Sequence, residues 1–245
     1  MTTEEFSNEF DTLLGVYLEK YAVNNPNIEN IKFDEYEKSV LLTKAQEDVV
    51  RSIYTGKNSY NDYFDKNEEI RTYLNNITLS KISNSFSDYT SIGDDINTCI
   101  TCPDIDLSDI MFIVTEYFNG NYKNVLRTLE VRPMEGNEWY YILMNPFKKP
   151  NNYRIYRTID NNKVKLYINK SINPVSYTIR YIKKPEPIIL TDLTTSGVSI
   201  NGKSIRSECE LHNAIHRIIL DTAVDYAISN ISAMYNNNNN NNSTN

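Results

Sequence analysis

The apolar residues of this chain change their spacing twice, and that change limits the folds open to it. Near the start they recur at helical spacing: Phe6, Phe10, Leu13, Leu14, Tyr17, Leu18 and Tyr21 follow a capping box made by Thr2 and Glu5, and Pro26 forbids much continuation. A second helix is expected from Asp34, with Glu37 three residues on, through YEKSVLLTKAQEDVVRSIY to a left-handed cap at Gly56. A third fits Asp65 as N-cap, followed by Ile70, Tyr73, Leu74 and Ile77. Residues 82–95 are rich in Ser and Asp and without period, which reads as a surface loop. The spacing then shortens. DIMFIVTEYF, NVLRTLEVRP, EWYYILMN, YRIYRTI, VKLYIN and YTIRYIKK are short, rich in β-branched and aromatic residues, and separated by Gly, Asn and Pro turns. Helical spacing returns after Ser207 with Leu211, Ile215, Ile218, Ile219, Thr222, Ala223 and Tyr226.

The fold class is therefore α+β: an N-terminal helical bundle, a central antiparallel β-meander of about six strands inserted in it, and a returning C-terminal helix. The expected division is 1–95 (helices and surface loop) packing with the helix 206–234, a β region 96–205, and a flexible Asn-rich tail 235–245, which has little to bury. Within YTIRYIKKPEPIIL, Tyr177, Ile179 and Tyr181 point to one side of the strand, and Pro185 and Pro187 cannot donate to a ladder. The strand should end there and pass into an extended arm.

Composition narrows the function classes. The N-terminus MTTEEFSNEF is acidic where a signal peptide would be basic and then apolar, and no apolar run is long enough to span a bilayer, so a soluble, unexported chain without membrane contact is expected. Three cysteines are too few for a disulfide framework and suit a reducing compartment. The motifs GxxxxGK[ST], GxSxG and GxGxxG are absent, and 7 glycines leave little for a phosphate-cradling loop, so no enzyme and no cofactor are expected. Cys99 and Cys102 in CITC, with Cys209 and His212 in CELH, have the make-up of a Cys₃His zinc set, but the whole β region separates the halves and small apolar fillers are the preferred reading. His212 and His216 share a helix face four apart without the Glu of a zincin, and read as polar residues of an interfacial helix.

Charge is the feature that points to a function. The net charge of −7 argues against a general nucleic-acid binder, yet it is unevenly spread. Residues 1–75 are strongly acidic, whereas residues 146–185 carry Lys148, Lys149, Arg154, Arg157, Lys163, Lys165, Lys170, Arg180, Lys183 and Lys184 against the single acid Asp160. One reading is a nucleic-acid surface, although strand alternation puts Arg154 and Arg157 on opposite sides. The preferred reading is self-assembly, in which the acidic end of one copy meets the basic sheet of the next, a head-to-tail contact of the kind that closes rings. A third, from another class, is a small binding module that recognises a surface polysaccharide through its Tyr-rich sheet. The interface candidates are Lys148, Lys149, Arg154, Arg157, Arg180, Lys183, Lys184, Pro185, Pro187, His212, His216 and Tyr235.

The order of AQEDVVRSIY, FDKNEEIRTYL, MNPFKKP, YRIYRTI, YTIRYIKKPEPIIL and CELHNAIHRIILDTAVDYA resembles the head-to-tail connector, or ring, proteins of crAss-like bacteriophages, over about residues 33–227. The resemblance implies a structural virion protein without catalytic activity. It implies a homo-oligomeric, twelvefold ring between portal and tail, assembled in the host cytoplasm, with the portal protein and neighbouring ring or tail proteins as partners. DNA would pass through the channel without sequence-specific binding. In such a ring the arm at Pro185 and Pro187 would lie against a neighbouring subunit.

Overall fold

The computed structural model describes residues 1–22, 31–57, 64, 67–92, 97–135 and 138–242. They form two compact units, a helical one (Met1–Ile77 with Pro185–Asn245) and a sheet one (Thr78–Lys184). The chain leaves the helices at residue 78 and returns at 185, rather than at 96 and 206.

In the helical unit, α1 (Thr3–Ala22) begins with the expected reciprocal cap, in which Glu5 N donates to Thr2 Oγ1 (3.2 Å) and Thr2 N to Glu5 Oε2 (2.8 Å). Its buried stripe is narrower than the spacing suggests: Phe6, Phe10, Leu14 and Leu18 are buried at strict four-residue intervals while Tyr17 is exposed. Helix α2 (Glu35–Thr55) has the Asp34/Glu37 capping box and ends at Gly56 with φ 74°, a left-handed conformation that favours glycine. Helix α3 (Glu68–Tyr73) is capped by Asn67, whose side chain accepts from Glu69 N; Asp65, the expected cap, lies outside the described residues. The last helix starts at His216, because the backbone from Ser207 is engaged first in a bridge to Ile189 and then in a 3-10 turn, Asn213–Ile215. We number it α5 (His216–Asn242), after a short α4 in the sheet unit. It packs on α1 and α2 through Ile219, Leu220, Ala223, Val224, Ala227 and Ile231. Its backbone continues past Met234 through the Asn run, since extending an existing helix by a residue costs far less than nucleating one.

The sheet unit holds β1 (Thr78–Ser83), β2 (Ser87–Ile92), β3 (Asn97–Asp106), β4 (Ile110–Tyr122), β5 (Val125–Pro133), α4 (Glu138–Met144), β6 (Ile155–Asp160), β7 (Lys163–Asn169) and β8 (Ile172–Lys183). The strands make one curled sheet in the order β1-β8-β4-β5-β6-β7-β3-β2. Its two edge strands, β1 and β2, are joined by residues 84–86 alone, which extended chain lets span only about 14 Å, so the sheet must curl. It closes on a core that includes Ile100, Phe118, Val131, Ile155, Leu166, Tyr177 and Ile179.

Three expectations are corrected here. The Ser/Asp-rich stretch forms the end of β1 and all of β2 instead of a loop, because edge strands with few buried side chains can be polar. EWYYILMN forms α4 instead of a strand. The meander is not wholly antiparallel: β5 and β6 pair in parallel, Val131 with Ile155 and Pro133 with Arg157, and a parallel pair cannot be joined by a hairpin, so α4 is its crossover. The other strand pairs are antiparallel, and the two-residue turns at Lys123–Asn124 and Asn161–Asn162 have positive φ at both positions, as type I′ hairpins require. Pro174 is accommodated in β8 at a register shift against β4, opposite Gly120, where a Cβ would lie 2.4 Å from Ile172 Cγ2.

Candidate assembly surfaces

Strand β8 ends at Lys183, as the two prolines demand, but the arm beyond it is not free. Pro185 and Pro187 are buried in the helical unit, and so are Ile188, Ile189 and Leu190. Helix α2 supplies what a ladder would have supplied. Ser39 Oγ accepts from Leu190 N (3.0 Å), Thr43 Oγ1 accepts from Ile188 N (3.1 Å), and Gln46 Nε2 donates to the Glu186 carbonyl (2.7 Å). On its other side Ile189 exchanges both backbone bonds with Ser207 at 3.0 Å. The arm is thus a strap across α2 of its own chain, not a segment reaching for a neighbour.

His216 is buried too, at 2% exposure, with Nε2 3.0 Å from the Leu211 carbonyl and its ring 5.4 Å from that of Phe6. Burial pulls its pKa below the ordinary histidine value, partly opposed by that carbonyl. His212 is exposed; its Nδ1 accepts from Ala214 N at 3.2 Å, which caps the 3-10 turn. The two histidines therefore do different work. Tyr235 lies on α5, outside the residues whose side chains are described.

In the sheet unit the candidate cations divide by depth. Arg157 is 8% exposed, and its Nε lies 2.8 Å from Oε1 of Glu116, itself 7% exposed; Tyr177 OH donates to the same carboxylate oxygen. Burial and the adjacent carboxylate push the Tyr177 hydroxyl pKa upward. A recess of about 550 Å³ beside this network is lined by Ile113, Tyr117, Glu130, Val131 and Pro133 among others, but Glu116 and Arg157 are already engaged with each other. The group is structural: β4, β6 and β8 are tied by one carboxylate. Lys148, Arg180 and Lys184 are exposed, and Lys149, Arg154 and Lys183 are half-buried.

Lys148 and Arg154 belong to a feature that residue patterns did not reveal. The segment between α4 and β6 projects Phe147 at 87% exposure and Tyr153 at 75%. It is held firmly. Asn145 Oδ1 accepts from Phe147 N (3.0 Å), Arg154 Nη1 donates to the Phe147 carbonyl (2.6 Å), and Tyr156 OH donates to the Lys148 carbonyl (2.7 Å). The Arg127 guanidinium lies 4.9 Å from the Tyr122 ring and 5.0 Å from the Tyr153 ring, which ties the β4–β5 hairpin, with its exposed Val125 and Leu126, to this segment. The available signal was MNPFKKPNNYR itself, whose large apolar residues lie among turn formers.

The cysteines do not form a chelate. Cys99 and Cys102 lie three apart on β3 and so face opposite sides of the sheet, and Cys209 and His212 belong to the other unit. Among the described residues no group of three or more potential ligands comes together. Burial pushes the Cys102 thiol up to about 12 and that of Cys209 to about 11, which suits inert core residues. Among the described residues no helix is long and apolar enough to cross a membrane.

Charge separates the units. The helical unit contains 21 acidic and 11 basic residues, the sheet unit 11 acidic and 14 basic. Two units of opposite net charge, one bearing a rigid aromatic projection, suit an assembly component, and comparison with known proteins bears on this directly. Residues 1–241 match the family model described as phage tail ring protein 3/4. The chain belongs to this ring protein family. Among its relatives are Ring protein 3 of Bacteroides phage crAss001, 37% identical over 93% of this chain and 95% of that protein, and Ring protein 4/5 of the same phage, 32% identical over 93% and 92%. As a crAss-like phage ring protein it is a structural component of the virion.

Proposed function

We propose that this ring protein forms a homo-oligomeric, twelvefold ring in the head-to-tail connector, stacked between portal and tail around the channel through which DNA passes. Neighbouring copies, the portal protein and adjoining ring proteins are its partners; it has no catalytic role and needs no cofactor. The observation that carries this reading is the family match, which extends through both units and is shared with relatives named as ring proteins. The opposite charges of the units support it, because a head-to-tail contact between unlike surfaces repeats around an axis until it closes. The candidate cations for that contact are Lys148, Arg180 and Lys184, which are exposed, and Lys149, Arg154 and Lys183, which are half-buried, whereas Arg157, Pro185, Pro187 and His216 act inside the subunit.

The test is electron cryomicroscopy of the virion that encodes the chain, with mass photometry of the purified protein. The expected result is a twelvefold ring in the connector. Density for this chain in the tail fibres, or binding of the purified monomer to a host polysaccharide, would instead favour the adhesive reading.

A further inference from the structure

We propose that the aromatic projection of the sheet unit is the anchor that docks one copy of this chain onto the helical unit of the next. The inference rests on the ring reading above and names the surface that would build the ring.

The argument begins with cost. Phe147, Tyr153, Val125 and Leu126 are 87%, 75%, 58% and 60% exposed, and large side chains grouped at that exposure mark an interaction surface more often than a solvated face. They are grouped: Arg127 contacts the Tyr153 ring from the hairpin that carries Val125 and Leu126, and Arg154 binds the Phe147 carbonyl from the residue next to Tyr153. Nor are they loose. Both backbone polar groups of Phe147 are bonded, so presenting its ring to a partner requires little further ordering, and pre-organised aromatics surrounded by Arg are the residues that dominate binding energy.

Charge decides the occupant. Lys148 stands exposed beside Phe147, so the surface calls for carboxylates or carbonyls at its rim. The helical unit, with ten more acids than bases, offers them. Because the donor surface and the acceptor surface lie on different units, the contact between copies is head-to-tail and not two-fold.

The experiment compares the wild-type chain with Phe147→Ala/Leu126→Ala by mass photometry over a concentration series, with zero-length carbodiimide coupling of an equal mixture of ¹⁵N-labelled and unlabelled wild-type protein. Both substituted positions are exposed, so melting temperature should not change. The expected results are rings for wild type, an increase of about tenfold or more in the concentration the variant needs to associate, and mixed-isotope cross-links from Lys148 to carboxylates of the helical unit. Wild-type rings with variant rings forming equally well, or Lys148 cross-links only within single chains, would overturn the anchor while leaving the ring reading intact. A wild-type chain that stays monomeric throughout overturns the ring reading and the anchor with it.

Discussion

Along the proline strap of the helical unit, the buried polar side chains are neutral and bond to backbone: Ser39 to Leu190, Thr43 to Ile188, Gln46 to Glu186. In the sheet unit the corresponding group is charged and bonds to itself: Arg157 and Tyr177 both engage Glu116. Among its described residues the helical unit also buries a charged side chain, Lys38 at 3% exposure, but its partners Asp11 and Glu35 remain half in water. The difference lies in how each arrangement fails. A neutral bond can be removed at the cost of one unsatisfied backbone group, whereas removing one member of a buried ion pair strands the other charge.

The largest effect should therefore come from the sheet unit. Arg157→Ala is expected to cost about 3–5 kcal/mol in urea unfolding, while Arg154→Ala, at a half-buried position just before β6, should cost about 1 kcal/mol or less. Replacing Glu116 by Leu and Arg157 by Met together should recover much of the loss, because no charge is then stranded. Equal costs at positions 154 and 157 would break the contrast.

Next in size is the strap. Ser39→Ala and Thr43→Ala should each cost about 1–3 kcal/mol, and hydrogen exchange should quicken at Leu190 in the first variant and at Ile188 in the second. Unchanged exchange at both amides would mean that the two hydroxyls do not hold the strap, leaving it to the Ile189–Ser207 and Gln46–Glu186 bonds and to packing.

The cysteines sharpen the comparison at smaller scale. Cys102 is fully buried in the sheet core, so Cys102→Ala should cost about 1 kcal/mol through the gap it leaves; Cys209, whose Sγ donates to Gln46 Oε1 (3.1 Å), should tolerate Ser. With both thiols raised to about 12 and about 11, the folded protein should resist iodoacetamide at neutral pH at these two positions and react there only when unfolded.

The smallest effect is in pH. The folded-state pKa of His216 lies below its ordinary value, so the unfolded chain binds more protons and stability falls as pH drops through the unfolded value near 6.5. His216→Gln should flatten the stability profile between about pH 5 and 7.

The features legible in the chain itself are the local ones. The caps at Thr2/Glu5 and Asp34/Glu37, the stop at Gly56, the end of β8 before Pro185 and the inward side of Tyr177, Ile179 and Tyr181 all follow from hydrogen bonds or side-chain periods within a few residues. The uneven charge is likewise a property of composition, and it survives as the opposite signs of the two units. Pairing over distance was decided by tertiary structure. EWYYILMN is apolar enough for either period, and only the parallel register of β5 and β6, which demands a crossover, makes it a helix. Arg157 reads as one cation in a basic run until β4 and β8 bring Glu116 and Tyr177 to it from 41 residues before and 20 residues after. The two prolines announce that a strand must stop, yet which groups then satisfy the freed backbone depended on α2, about 140 residues earlier, because a hydrogen bond is fixed by where two atoms meet in space and not by their separation along the chain.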